Sequence, residues 1–355
     1  MLRPLLPLCL AVPALLAQET SLEALREAGQ WKQLRSRVEG WYRAKPQDPY
    51  AMLWMSKVKM AFNDLQGGLE LARQAAALRP ADPQFQAQLG MAAGQTAGST
   101  EGTMKQFSLA REMKKALEAS LAAQFDNEEC IPYLMQFYLQ APGLVGGGVG
   151  KAKDLAAKVE AIKPVRGLLL RADIAFHDKD LEGAKGCIQA ALAKEPGSYE
   201  AQLYLAQYHL SQKPQALDAA ASCYRAAIAR KPKAVSPYAQ LAAILAEQGK
   251  WADLEAVLAQ ARQAVPNNLL PYYSAGRNLI VENRSLDHAE GLLKTYLSQE
   301  PEGASPDHAA ATWRLGQLYD KLGRKADAQK AFQEALRLRP GFPQAKKDLE
   351  RLAKG

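Results

Sequence analysis

Prolines return along this chain at a nearly fixed interval. They stand at Pro46, Pro80, Pro164, Pro196, Pro232, Pro266, Pro301 and Pro340, with gaps of 34 residues from 46 to 80 and from 232 to 266, and of 35 from 266 to 301. A period in this range marks a helix–turn–helix unit repeated in series. Each such unit packs on its neighbours, which yields a solenoid with an open binding surface rather than an enclosed catalytic pocket. Alanine, leucine, glutamine, lysine and arginine are abundant and β-branched runs scarce, so helix is favoured almost throughout.

The last full unit displays the pattern most clearly. Leu315, Gly316 and Tyr319 share one face of a first helix; Gly323 marks the turn; Ala328, Phe332 and Ala335 share the inner face of a second helix; Pro340 ends it. Gly316 lets a neighbouring helix come close, and Gly323 fits a turn that needs a positive φ. These residue types at this spacing resemble the tetratricopeptide repeat. The same frame fits residues 165–198, 199–234, 235–268 and 269–303, with one or two extra turn residues near Lys213-Pro214 and Asn283. Residues 49–82 keep Ala72, Ala75 and Pro80, and a shorter first unit carries Leu22, Leu25, Gly29, Leu34, Val38, Trp41 and Pro46.

Two units depart from the frame. One has Leu89-Gly90 followed by a Gly/Ser/Thr-rich stretch that predicts a loop over 94–103, then a long helix from about Met104 to Gln124. The other has Leu134 and Tyr138, then a glycine-rich loop over 141–150, then a helix with Ala152 and Val159. The segment from about Met104 to Pro164 also resembles one found in secreted bacterial tetratricopeptide proteins of unassigned function. The expected organisation is a leader over 1–17, divergent repeats over 18–164, regular repeats over 165–342 and a charged capping helix over 343–355. The resemblance implies an all-α fold, a right-handed superhelix of about nine repeats plus that cap.

Met1-Leu-Arg3 is a short basic start, and Leu5 to Leu16 is apolar over the length of a signal-peptide core. Cleavage after Ala17 or after Ala14 fits small-residue preference. The stretch is too short to span a bilayer and is broken by Pro7 and Pro13, with Pro4 just before it, so no transmembrane segment is expected after its removal. Export to a bacterial periplasm is the expected location. Cys130, Cys187 and Cys223 form no CxxC pair and predict free thiols. The formal net charge is +8. Much of the excess sits in last turns before the repeat prolines, where cations meet the negative end of the helix dipole. With no basic stripe interleaved with aromatics, nucleic acid is not an expected partner.

Candidate chemistry is sparse. Gly146 to Gly150 followed by Lys151 resembles a phosphate loop in outline, with Gly147, Gly148, Gly150 and Lys151 as the weak candidates for holding an anion. The Walker pattern fails, because Val145 replaces its first glycine, Ala152 its Ser or Thr, and no strand precedes it. The four histidines lack metal-ligand spacing, and no nucleophile elbow occurs, so no metal, cofactor or catalytic residue is expected.

In tetratricopeptide proteins the first helices line the concave face and ligands usually lie there. Carried onto this sequence, the resemblance places Leu53, Lys57, Gln136, Asp173, His177 and Gln207 in the groove, and further along the chain Tyr273, Arg277, Trp313, Gln317 and Lys321. It implies a non-catalytic scaffold that binds a peptide or protein through that groove. The alternatives are a structural subunit of an envelope assembly and a binder of small ligands or glycans for transport.

Overall fold

A computed structural model describes residues 21–303 and 306–354. The proposed leader over 1–17 lies outside them. Among the described residues every regular element is helical, and none is long and apolar enough to cross a membrane. Helix starts follow from local chemistry. Asp48 and Asp82 each precede a proline at the first helical position, and their carboxylates accept from the Tyr50 and Gln84 backbone N–H groups at 3.0 Å. The acceptor satisfies an orphan donor while proline presets φ. Ser198 and Asp307, with no proline following, accept through their side-chain oxygens from the Ala201 and Ala310 backbone N–H groups.

The turn inside six of the units follows one pattern. Gly29, Asn63, Lys179, Gly249, Asn283 and Gly323 all have φ between 54° and 72°. The residue after each donates its N–H to a carbonyl five positions back, as Arg324 does to Tyr319 at 2.8 Å and Asp64 to Lys59 at 2.9 Å. This is a Schellman closure, and it requires the left-handed residue. Gly323 therefore occupies the conformation its position predicts, while Asn63 and Asn283 fill the same place with the side chain that tolerates it next best.

The chain forms two compact units, residues 38–232 and residues 233–355 together with the N-terminal segment up to 37. This division differs in kind from that between divergent and regular repeats at 164, which concerns sequence pattern.

In the 38–232 unit, helices pair as Pro49–Ala61 with Leu65–Leu78, Pro83–Ser99 with Thr103–Ala123, Cys130–Gln140 with Val149–Ile162, Pro164–His177 with Leu181–Lys194, and Tyr199–Ser211 with Leu217–Arg230. One expectation needs correction. The loop over 94–103 shrinks to residues 100–102, because the first helix continues through Gly94 and Gly98 to Ser99. Gly90 and Gly94 serve packing, while Gly98 faces open space. A Cβ at Gly90 would lie 2.6 Å from the Leu117 side chain, and one at Gly94 2.7 Å from the Met113 sulfur. Spaced four apart, Gly90 and Gly94 open one helix face to the long second helix. The loop over 141–150 is present, with a short 3-10 turn at Gly143–Val145 before the next helix begins at Val149. Cys130, Cys187 and Cys223 are free. Burial pushes the Cys130 thiol up to about 11, so it stays protonated and inert.

In the other unit, Val235–Glu247 pairs with Trp251–Ala264, Leu270–Val281 with Leu286–Leu297, and His308–Lys321 with Lys325–Leu338, followed by Pro343–Lys354. The N-terminal segment docks here on the loops between repeats. Gly29 lies against Asn268 and Val235. The Lys32 backbone N–H donates to Glu302 at 2.7 Å, its ammonium to the Glu300 carbonyl at 2.7 Å, and Arg35 to the Glu300 carboxylate at 3.0 Å. The Glu302 side chain is 1% exposed. A buried acceptor serving a backbone donor is costly to remove, about 1–3 kcal/mol. Glu302→Ala is therefore expected to raise amide hydrogen exchange over residues 29–36 by about tenfold or more, with Glu302→Gln intermediate. Unchanged exchange in the alanine variant would show that this contact does not hold the segment.

Candidate binding site

Within each compact unit, several neighbouring first helices are joined by polar side chains at a regular offset. Tyr204 donates to Asp173 at 2.9 Å, Asn278 to Glu247 at 2.9 Å, Gln317 to Asp348 at 3.1 Å and Arg351 to Asp320 at 2.5 Å. Each pair is 31 residues apart. Gln88 donates to Ser56 at 2.9 Å across a similar step of 32, with both residues buried. An equivalent residue one repeat on would lie about 34 away. The partner sits about three positions, one turn, earlier. Within each compact unit, the first helices so joined run in the same direction with a one-turn stagger, and these bridges fix it.

The bridges redistribute the predicted groove residues. In the 38–232 unit, Leu53 is a correction: it is 2% exposed and packs in a core cluster with Met52, Leu71, Ala75 and Phe85. Its helix is buried over most of its surface because it is covered on both sides, so the groove frame lands on a core position. Lys57 is largely taken up by Glu129 at 3.2 Å and by the Trp54 ring at 5.0 Å. Asp173 is half-buried between first helices as the acceptor for Tyr204. Its carboxyl is raised to about 6; burial is the main cause, opposed by the Tyr204 hydrogen bond and the Arg166 charge. Gln136, His177 and Gln207 are exposed, while Ala172 and Ala206 beside them are fully buried. His177 and His209 do not meet at a common ligand: His177 contacts Asp178 at 2.9 Å, and His209 lies beside Gln212 and Tyr208. No metal-binding group of side chains occurs among the described residues.

In the other unit, Arg277 is exposed. Tyr273 packs on Tyr296, with ring centroids 5.2 Å apart. Trp313 donates to Asp348 at 2.8 Å and stands edge-on to Phe342 at 5.3 Å, so the capping helix holds it. Gln317 is held by the same Asp348. Lys321 is exposed, within 3.3 Å of Asn283. A cleft of about 220 Å³ lies here, with Ile280, Val281, Gln317 and Lys321 in its lining. Val281 is 51% exposed, which gives this polar face one apolar contact point.

Three amides of the glycine loop are satisfied within the loop and its flanking helix. The N–H groups of Gly146, Gly147 and Gly148 donate inward, to Gly143, Pro142 and Tyr138 carbonyls at 2.9, 3.2 and 2.8 Å. Lys151 caps the Gly146 carbonyl at 2.9 Å. A Cβ at Gly147 would meet the Ala141 carbonyl at 1.9 Å, so this glycine is a packing requirement. The Gly146, Gly147 and Gly148 donors and the Lys151 ammonium are thus used in holding the loop's own shape.

The inter-helix bridges are the feature that residue-by-residue reading missed. Complementary polar pairs 31 apart are the signal the sequence carries for them, offset by one turn from positions one full repeat apart.

Tetratricopeptide repeat family profiles match residues 169–235 and 309–342. No curated protein matches the chain in sequence. Among solved structures, the chain is similar in fold to IFIT1 bound to m7Gppp-AAAA (TM-score 0.50, 13% identity, covering 91% of this chain and 76% of that one). It also resembles yeast Tom70 (TM-score 0.46, 14% identity, 95% and 87%) and a tetratricopeptide repeat protein of Parabacteroides merdae (TM-score 0.43, 13% identity, 74% and 98%). At these identities the likeness concerns the fold alone. Repeat profile, helix pairing and turn closure agree that the chain carries tetratricopeptide repeats, matched over residues 169–235 and 309–342, and repeats of this kind support a protein-interaction scaffold.

Proposed function

We propose that this scaffold is exported to the bacterial periplasm and binds a peptide or protein partner, without catalysis, through the first-helix faces of its repeats. The observation that carries the binding reading is the exposure of Gln136, His177, Gln207, Arg277 and Lys321 on helices whose neighbouring positions are buried alanines and leucines. Long polar side chains on such a face offer hydrogen bonds and charge without surrendering the packing between repeats. Arginine is also among the residues that commonly dominate binding energy at protein surfaces. The export reading rests on the basic start and apolar stretch over 1–17.

Two measurements test this. N-terminal sequencing of the protein recovered from cells should begin at Gln18 or at Leu15; an intact Met1 start would overturn export. Affinity capture from the envelope fraction, with the wild type and with His177→Ala/Gln207→Ala/Arg277→Ala as baits, should recover a partner that the triple variant loses by about tenfold or more. Tyr273 and Trp313 are left unchanged because both support packing. Equal recovery by the two baits would remove the first-helix face from the binding role.

A further inference from the structure

A second surface stands out on the opposite members of the helix pairs. Two clefts, of about 420 and 390 Å³, meet at Glu118 within the 38–232 unit. The first runs between the second helices Thr103–Ala123 and Val149–Ile162, over the first helix Cys130–Gln140. Its apolar lining includes Leu121, Phe125, Leu134 and Leu155. The other continues past Glu118 beneath the loop over 141–148, where Leu144 is 73% exposed. Five basic side chains line the pair of clefts (Arg111, Lys114, Lys115, Lys151 and Lys158) against the carboxylates of Glu118 and Asp154.

The nearby acids are largely committed to the protein itself. Glu118 takes Lys114 and the Tyr138 hydroxyl, both at 2.7 Å. Burial opposes its ionisation, yet these two bonds hold it below the usual carboxylate range. Glu112, on the same helix, is clamped by Arg73 through contacts of 2.8 and 2.6 Å. Arg111, Lys115 and Lys158 remain exposed, with no carboxylate partner among the described residues. The glycine loop contributes shape and the Leu144 side chain rather than amide donors, since its N–H groups are turned inward.

We propose that this trough docks an acidic amphipathic helix from a protein partner, apolar side chains on the floor and carboxylates against the basic rim. An apolar floor between two helices with an excess of basic over acidic side chains on its edge is complementary to a helix with one apolar and one acidic face. This site is separate from the first-helix face and does not depend on what binds there.

The test uses the full chain and a fluorescein-labelled synthetic peptide of roughly five helical turns, with leucines on one face and glutamates on the other. The same peptide with every glutamate replaced by glutamine is the control. Anisotropy titration should show the glutamate peptide binding about tenfold more tightly than the control, and weakening as salt rises. Arg111→Glu/Lys115→Glu, both exposed positions, should lower the affinity by about tenfold or more, and Leu144→Asp should lower it as well. The His177→Ala/Gln207→Ala variant should bind the peptide as the wild type does. Thermal melts confirm that each variant is folded. Equal affinity for the two peptides, or an unchanged affinity in Arg111→Glu/Lys115→Glu, would overturn the proposal. So would binding of anionic phospholipid vesicles without binding of the peptide, which would reassign the surface to a membrane.

Discussion

Replacing Phe332 by alanine is expected to unfold the end of the array before the rest. Phe332 is fully buried, and its ring occupies the space that Gly316 leaves on the facing helix, where a Cβ would stand 2.4 Å from the ring. Deleting a buried phenylalanine removes the transfer free energy and leaves a cavity, a loss of about 3–5 kcal/mol. In a repeat array each unit is stabilised by its own packing and by its nearest neighbours, so the loss stays near its origin. The affected segment is 308–354, because the cap rests on this unit through Trp313 and Asp348. Hydrogen exchange should therefore accelerate by orders of magnitude across 308–354 and change little across residues 49–211. Gly316→Ala approaches the same contact from the other side and should cost about 1–3 kcal/mol by overpacking. Combining Gly316→Ala with Phe332→Leu should cost less than the sum of the two single changes, because the smaller side chain makes room for the added methyl. A uniform rise in exchange along the whole chain would mean that the repeats melt as one cooperative body, against the nearest-neighbour account.

The contact between Gly316 and Phe332 was legible in the sequence, and the reason separates what could be read from what could not. Small residues at Gly316, Ala328 and Ala335 recur because backbone approach between helices is the same problem in every unit, so the answer repeats with the period. The left-handed turn at Gly323 is legible for the same reason. Gly94 misled because glycine in a Ser/Thr-rich stretch has two uses, freedom in a loop and close approach in a helix, and only the facing Met113 decides between them; Gly98 is helical with open space beside it. The binding surface was less legible still. Family position alone assigned Leu53 and Trp313 to a groove, yet one is core and the other is held by the cap. Whether a side chain is free depends on which residue stands 31 positions away, a relation between units that no single unit contains. The docking of Lys32 on Glu302, 270 positions distant, had no periodic signal at all.

Asp173 makes one of these inter-unit bridges, and its expected signature is a pH dependence opposite to that of a salt-bridged carboxylate. In the folded chain its carboxyl is raised to about 6 by burial, against the Tyr204 bond and the Arg166 charge. In the unfolded chain an aspartate titrates near 4. Between about pH 4 and 6 the folded state thus binds more protons at this site than the unfolded state, and linkage makes stability fall as pH rises through that window. Below it, both states are protonated and the bridge is at full strength; above it, the cost of burying the charge is complete, at most about 3 kcal/mol. Glu118 and Glu290, held below the carboxylate range by their partners, push the whole protein the other way, so the raw pH profile will mix the two. The comparison with Asp173→Asn isolates the site. Asparagine keeps an oxygen for the Tyr204 hydroxyl and carries no charge. Urea unfolding of the two proteins should give nearly equal stability at pH 4 and a variant that is more stable by about 1–3 kcal/mol at pH 7, the gap opening between those values. If Asp173→Asn is instead less stable at pH 7 than at pH 4 relative to the wild type, then the ionised carboxylate is the favoured partner of Arg166 and Tyr204, and this bridge is held by charge rather than by a shared proton.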